Sequence, residues 1–263
     1  MTLTNVKIGA DPELFLSMNG KVISAEGLIG GTKDSPKLIS ENGHAIQEDN
    51  VMAEFNIPPC TTAEEYKENI NFVKNHLTVL AELYGLEISP LASAELDPLH
   101  LNTIQAKTFG CDPDFSVYTK CHNNPPENNG LLRSCGGHIH IGYDEPSVEK
   151  SELIVYAMDT LVGLESVLKD ADDRRKEMYG KAGSFRFKEY GVEYRTLSNF
   201  WIHSDELIEW AFLRTMEAVE LVNSGEIQNI IETKSESIRE AIDTNNKVEA
   251  AKLLEDLKKV IIK

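Results

Sequence analysis

The chain has 263 residues, of which 41% are hydrophobic, and its 43 acidic and 26 basic residues give a formal net charge of −17. The apolar share is sufficient for a continuous core, whereas the charge argues against nonspecific binding to nucleic acid or to an anionic membrane, since both need a basic surface. No apolar run approaches the roughly 18 residues of a membrane span, the first residues lack the apolar stretch of a signal peptide, and the four cysteines are scattered, so the sequence predicts a cytoplasmic protein.

The first 60 residues are predicted to form short strands and turns. Glycines separate β-prone runs such as Lys21–Ser24 and Lys37–Ser40. After two prolines, Thr62 and Glu65 have the spacing of a capping box that begins a helix. Apolar residues then recur every three or four positions as far as Tyr84, which predicts an amphipathic helix.

The rest of the chain is predicted to be mainly helical. Helices are expected at about 147–170 and 204–221, and two more in 227–262. Residues 101–130 show no period and are predicted to form a long loop, a kind of segment that is often functional. A block of strands with helices interspersed singly predicts an α+β fold with a largely antiparallel sheet.

The feature that indicates chemistry is a polar pair two residues apart, repeated on several predicted strands. Side chains at positions i and i+2 of a strand point to the same face. Solvated strand faces normally carry mixed polar residues, but these positions hold carboxylates, imidazoles and basic groups almost exclusively. The pairs are Asp11 with Glu13, Glu54 with Asn56, His138 with His140, Arg186 with Lys188, and Glu193 with Arg195.

The pairs predict a divalent metal site. Carboxylates stacked on one sheet repel one another unless cations lie among them. Carboxylate ligands with a single imidazole suit Mg²⁺ or Mn²⁺ better than Zn²⁺. A zinc site built from Cys111, Cys121, Cys135 and His138 is disfavoured, because no two cysteines have the C-x-x-C spacing.

Basic residues concentrate in one stretch of this acidic chain. Guanidinium and ammonium groups suit the oxygens of a polyphosphate, so the stretch is predicted to bind the phosphates of ATP. Neither a Walker A motif nor a G-x-G-x-x-G motif occurs, which excludes the P-loop and Rossmann types of phosphate site. The residues are Arg174, Arg175, Lys181, Arg186, Lys188 and Arg195.

Four of these segments together resemble a known family. Ile8–Phe15, Val51–Pro58, Gly136–Gly142 and Tyr190–Phe200 are similar to segments of the phage-encoded carboxylate–amine ligases, or amidoligases, of the glutamine synthetase and glutamate–cysteine ligase superfamily. The resemblance implies one glutamine-synthetase-like domain over residues 1–263, with a curved, largely antiparallel sheet, helices on its outer face, and a helical extension at 225–263.

The resemblance also implies ATP and Mg²⁺ (or Mn²⁺) as cofactors and assigns roles to residues. Glu13, Glu54, His138 and Glu193 would be metal ligands, with Asp11 in place of the usual glutamate of the first pair. Catalytic roles fall to Glu54, Arg186 and Arg195, of which Arg195 would hold phosphate or the acyl-phosphate. The remaining implied nucleotide-binding residues are His140, Arg174, Arg175, Lys181, Arg186 and Lys188.

The implied reaction is formation of an amide or peptide-like bond from a glutamate-like acid through an acyl-phosphate, in the host cytoplasm if the chain is phage-encoded. The amine could lie on a small metabolite, a peptide or a modified nucleotide. Its general base could be a carboxylate of the sheet, Asp112 or Asp114, and Lys33 is a candidate to receive the substrate carboxylate. Two alternatives stay open: a guanidino-kinase-like phosphotransferase, and an inactive binding or virion-associated protein. The oligomeric state is not predicted.

Overall fold

The strands build most of the N-terminal half of the protein. The computed structural model describes residues 2–107, 114–123 and 130–261. Its strands are β1 (Lys7–Ala10), β2 (Glu13–Leu14), β3 (Leu16–Met18), β4 (Lys21–Ile23), β5 (Lys37–Leu38), β6 (Ala45–Asp49), β7 (Met52–Asn56), β8 (Glu87–Ile88), β9 (Ser93–Glu95), β10 (Phe115–Ser116), β11 (Leu132–Ser134), β12 (Ile139–Gly142), β13 (Ser184–Lys188) and β14 (Gly191–Tyr194).

Helices make up most of the C-terminal half. The α-helices are α1 (Ala63–Leu83), α2 (Ile104–Lys107), α3 (Val148–Met158), α4 (Leu164–Lys169), α5 (Arg175–Met178), α6 (Asp205–Asn223), α7 (Ile227–Asp243) and α8 (Lys247–Ile261). Two 3₁₀ helices span Pro98–Leu101 and Asn199–His203, and a π-helical turn spans Asp159–Gly163.

Two antiparallel sheets meet at one bent strand segment. The first has the order β1-β12-β14-β13-β10 and the second β2-β7-β6-β5. The segment from β1 to β2 joins them: Asp11 donates its backbone N–H to His138, while the Pro12 carbonyl accepts from the amide of Phe55. Pro12 has no N–H to give to a ladder, so the strand is interrupted where the sheet bends. The predicted fold class, α+β with a curved, largely antiparallel sheet, is confirmed.

The apolar face of the sheet packs against helices, as the alternation of its strands requires. Ile139 and Ile141 of β12 and Val192 and Tyr194 of β14 are fully buried in the main core. The same core contains the buried stripe of α1 and residues of α3 and α6. The side chains that alternate with these apolar residues therefore lie on the opposite face, away from the helices.

Most of the predicted helices are confirmed, with one internal difference. Thr62 caps α1 by accepting from the amide of Glu65, although Tyr84, predicted to lie on its apolar side, is exposed. The helix predicted at 147–170 contains the π-helical turn between α3 and α4. There the buried Asp159 carboxylate accepts from the Tyr194 hydroxyl at 2.6 Å, and burial raises the pKa of Asp159 to about 7. A π turn contains one residue more than an α-helical turn. Here it contains Asp159, which contacts Tyr194 of strand β14.

The predicted loop at 101–130 is partly wrong. The described part contains α2 and β10. Distant side chains hold α2 in place, since Asn50 donates to the carbonyls of Gln105 and Ala106 and Arg133 also donates to Ala106. Such tertiary contacts override a weak local pattern and cannot be inferred from the segment itself.

The two C-terminal helices pack on the rest of the protein. Ile230 and Ile242 of α7 and Leu257 of α8 join the main core, and α8 contacts α4. The predicted division into one domain with a helical extension at 225–263 stays a prediction. Among the residues that the structure describes, no helix combines the length and the apolarity needed to cross a membrane.

Candidate active site

The polar pairs of the strands meet in one pocket on the face of the sheet opposite the helices. In the register of the ladders, His140 lies opposite Glu193, and Glu193 lies opposite Arg186. In the second sheet Glu13 lies opposite Glu54. This central pocket has a volume of about 400 Å³. Of the predicted site residues it brings together Asp11, Glu13, Glu54, His138, His140, Arg186, Lys188, Glu193 and Arg195.

Three of the predicted nucleotide-binding residues lie outside the central pocket. Arg174 pairs with Glu95 at 2.9 Å near the surface, and the side chain of Lys181 is exposed. These two side chains are not part of the central pocket, and their predicted contact with phosphate stays a prediction. Arg175 is buried beside the pocket instead.

One group of ligand atoms at the pocket wall fits a metal ion. Asp11, His140 and Glu193 each offer one such atom, and the three atoms lie within 4.8 Å of one another. His138, predicted as a ligand, borders this group: its Nδ1 is 3.2 Å from Asp11 Oδ1. Although burial opposes ionisation, the charges and contacts of His140 and His138 hold the pKa of Asp11 well below its usual range.

The same three residues contain buried polar atoms that lack a hydrogen bond within the described part of the chain. Asp11 Oδ1, His140 Nε2 and Glu193 Oε2 make none of acceptable geometry with the described residues, although each lies close to a charged neighbour. Buried polar atoms are normally satisfied. Two carboxylates and an imidazole whose ligand atoms cluster in this way fit a bound cation, and this set of ligands suits Mg²⁺ or Mn²⁺.

A second group of carboxylates lines the pocket nearby. Burial, and then the charges of Asp11, Glu13 and Asp49, raise the pKa of Glu54 well above its usual value. Burial also raises the pKa of Glu13, although the charge of His138 opposes the shift, and Asp49 adds to it. A second cation among Glu13, Asp49 and Glu54 would relieve this repulsion.

Asp49 is a pocket residue that the sequence reasoning missed. It is buried at the end of β6, and its carboxylate is 3.9 Å from the ammonium of Lys33. Gln47 and Asp49 share a strand face, and Gln47 donates to Glu54 at 2.8 Å. The alternation that revealed the other pairs therefore also applies to β6, and it could have revealed this pair.

Arg195 links the metal group to the segment after the undescribed residues 108–113. Its Nε donates to Asp114 Oδ1 at 2.5 Å, and its Nη1 contacts Glu193 and lies 3.2 Å from His138 Nδ1. Although burial and the charge of Asp11 oppose ionisation, Arg195 and the two histidines lower the pKa of Glu193 to about 2. Asp114, one of the predicted bases, thus holds Arg195, while Asp112 lies outside the described residues.

Two further cavities adjoin the central pocket. The outer cavity has a volume of about 1000 Å³ and reaches His140 past Tyr190. The inner pocket, of about 40 Å³, is lined by Glu13, His138, Arg175 and Arg195 among others. Arg175 donates to the Ser134 hydroxyl at 3.1 Å, and its Nε is buried with no hydrogen-bond partner among the residues that the structure describes. The inner pocket thus presents an unsatisfied guanidinium donor, which suits a small anionic group.

Residues 132–261, just under half of the chain, match the model of a family described as phage phiEco32-like COOH.NH2 ligase-type 2. This match covers His138, His140, Glu193 and Arg195, and it confirms the family resemblance that the sequence indicates. None of the curated protein sequences compared with the chain matches it.

Several solved structures are similar in overall architecture. A structure described as apo GmaS without ligand aligns with 97% of this chain and 64% of its own, with a TM-score of 0.48 and 14% identity. A GmaS/ADP complex has the same coverage, a TM-score of 0.43 and 13% identity. A structure described as a novel glutamine synthase homolog aligns with 96% of this chain and 67% of its own, with a TM-score of 0.38 and 12% identity. The chain thus spans about 64% of the length of the first two structures.

Proposed function

We propose that this chain is an ATP- and Mg²⁺-dependent carboxylate–amine ligase that activates a glutamate-like acid as an acyl-phosphate. The observation that carries the proposal is the central pocket, whose walls contain both a candidate metal-binding group and a basic group. The family match over residues 132–261 supports the same reaction class. Within the matched region lie His138, His140, Glu193 and Arg195, which line this pocket.

The outer cavity is the proposed site of the nucleoside. Its volume is within the range of small-ligand sites. Tyr143 and Tyr190 line it, and His140 lies where it meets the central pocket. A nucleoside in this cavity would extend its phosphates toward Lys188 and Arg186, whose cationic groups suit polyphosphate oxygens.

Two sets of metal ligands are proposed in the central pocket. Asp11, His140 and Glu193 would hold one ion. Glu13, Asp49 and Glu54, which line the same pocket, would hold a second. Divalent ions held there would neutralise the charge that develops on the transferred phosphoryl group. His138 borders the first set of ligands, because its Nδ1 lies 3.2 Å from both Asp11 Oδ1 and Arg195 Nη1.

The acid substrate is proposed to bind across the inner and central pockets. A pocket of about 40 Å³ accommodates a group the size of one carboxylate, and the unsatisfied Nε of Arg175 can donate to it. A glutamate-like acid would place one carboxylate there and direct the other toward the central pocket. That second carboxylate needs activation, because hydroxide is a poor leaving group.

The proposed reaction then has two steps. A carboxylate oxygen attacks the γ-phosphorus, so an O–P bond forms while the bond from the γ-phosphorus to the bridging oxygen breaks and ADP leaves. The amine next attacks the acyl carbon and gives up a proton to a carboxylate of the pocket, so the C–N bond forms while the C–O bond to the phosphoryl group breaks. Phosphate departs with the oxygen that came from the carboxylate. Arg195, held between Asp114 and Glu193, is placed to neutralise the departing phosphate.

Thermal unfolding with Mg²⁺ and ATP tests the nucleotide part of the proposal. A ligand at 100 times its Kd stabilises the native state by about 2.7 kcal/mol, which should raise the Tm of a chain of this size by about 5–10 °C. ATP with EDTA should give a much smaller shift. Lys188→Ala should reduce the shift, whereas Arg174→Ala, outside the pocket, should not. If the Tm does not rise with ATP and either Mg²⁺ or Mn²⁺, the result counts against the proposed site.

A further inference from the structure

We propose that Tyr190 is a positioning residue, whose hydroxyl holds the His140 imidazole so that Nε2 faces the metal-binding group. The inference rests on the proposed function, since it concerns the same metal site. Tyr190 lies in the turn between β13 and β14, and its hydroxyl forms a hydrogen bond with His140 Nδ1. The two rings are nearly parallel, at 19°, with centroids 5.9 Å apart.

This hydrogen bond determines which ring nitrogen is available to a cation. His140 Nε2 is 3.0 Å from Asp11 Oδ1, an ion-pair contact, but it makes no hydrogen bond of acceptable geometry with a described residue. The contact of Nδ1 with the tyrosine is thus the hydrogen bond by which the described residues orient the ring. A neutral imidazole that donates Nδ1–H to the phenol oxygen leaves the lone pair of Nε2 free for a metal.

Tyr190 offers a hydroxyl that can accept a hydrogen bond, because the phenol of a tyrosine is neutral near pH 7. A neutral phenol oxygen can accept from Nδ1–H while its own proton points to solvent or to a ligand. Tyr190 is still 45% exposed, so its hydroxyl contributes little to the packing of the core. Its removal should therefore disturb the orientation of His140 more than the fold.

Removing such a partner from a metal-ligating histidine typically lowers metal affinity by about 10- to 100-fold. We expect this loss for Tyr190→Phe, which keeps the ring and removes only the hydroxyl. The matched control is Tyr143→Phe. Tyr143 lines the same outer cavity, but its hydroxyl bonds to Ser151 at 2.6 Å, away from His140.

The experiment combines two measurements on the full chain without nucleotide. Mn²⁺ titration by EPR gives the affinity of the wild type and of both variants. Long-range ¹H–¹⁵N NMR of the Mg²⁺-loaded proteins gives the tautomer of His140. We expect the Nδ1–H form in the wild type and in Tyr143→Phe, and a mixture of forms with about 10- to 100-fold weaker Mn²⁺ binding in Tyr190→Phe.

Each result separates the inference from the proposed function. Wild-type Mn²⁺ affinity in Tyr190→Phe, or an Nε2–H tautomer in the Mg²⁺-loaded wild type, would overturn the role of Tyr190 and leave the ligase proposal standing. Absence of Mn²⁺ binding in the wild type would overturn the proposed metal site, and the inference with it. A similar loss of affinity in both variants would show that the effect is not specific to Tyr190 and would also overturn the inference.

Discussion

Glu193→Gln is expected to lower the kcat/KM of ligase activity by about 10²- to 10³-fold, or about 3–4 kcal/mol, which is the scale of losing metal stabilisation of a developing charge. Glu193 is buried and contributes one of the three converging ligand atoms. Glutamine keeps the volume but removes the charge that attracts the cation. It also leaves Arg195 and Lys188 without their shared carboxylate.

The loss should appear in metal binding as well as in turnover. Mn²⁺ affinity should fall in Glu193→Gln and recover in part in Glu193→Asp, which restores the charge on a shorter side chain. Glu95→Gln is the control, because Glu95 is exposed and pairs only with Arg174 among the contacts described for it. Circular dichroism should show an intact fold in all three. Wild-type kcat/KM and Mn²⁺ affinity in Glu193→Gln would show that strand β14 does not form the active site.

Arg195→Lys is expected to reduce kcat by about 10²-fold, which is the cost of losing one oxyanion-stabilising donor. The guanidinium uses separate nitrogens for Asp114 and Glu193. A lysine ammonium is a single point charge and cannot reproduce this fork. One buried carboxylate would be left without its partner, and this should also lower the free energy of unfolding.

Arg214→Lys provides a matched control on helix α6. Arg214 also connects two carboxylates, Glu165 and Glu217, but it is partly exposed and lines none of the three cavities described above. The kcat and the Tm of both variants should be compared with those of the wild type. The expected result is loss of kcat in Arg195→Lys alone, with Mn²⁺ affinity reduced less than in Glu193→Gln. An equal effect of the two substitutions on kcat would refute a specific role for Arg195.

The sequence predicted the pairs of pocket residues because strand alternation is a local property. Glu54 and Asn56, or His138 and His140, can be assigned to one face from a few neighbouring residues. The bend at Pro12 cannot be predicted from neighbouring residues. It depends on how the segment around Pro12 pairs with two sheets whose strands come from distant parts of the chain. The sequence therefore indicated which side chains share a face, but it did not indicate that two sheets face one pocket.

For the basic stretch, the sequence did not indicate which side chains lie together. Arg174 and Arg175 are adjacent in sequence, yet one pairs with Glu95 near the surface and the other is buried beside the inner pocket. A four-residue helix such as α5 offers no period from which to distinguish them. Asp49 was missed for a different reason. It is the last residue of a strand and precedes Asn50, a turn residue with positive φ, so in the sequence it looks like an ordinary polar residue of a turn.

The central claim is that the substrate carboxylate is activated by phosphoryl transfer, and oxygen tracing tests it most directly. Glutamate labelled with ¹⁸O in its carboxylates serves as the acid, with ATP, Mg²⁺, and ammonium or hydroxylamine as the amine. The acyl-phosphate route predicts one labelled oxygen in inorganic phosphate for each amide formed, detected by mass spectrometry. Glutamate-dependent ATP consumption that yields unlabelled phosphate, or a stable N-phosphorylated product without phosphate release, would contradict it.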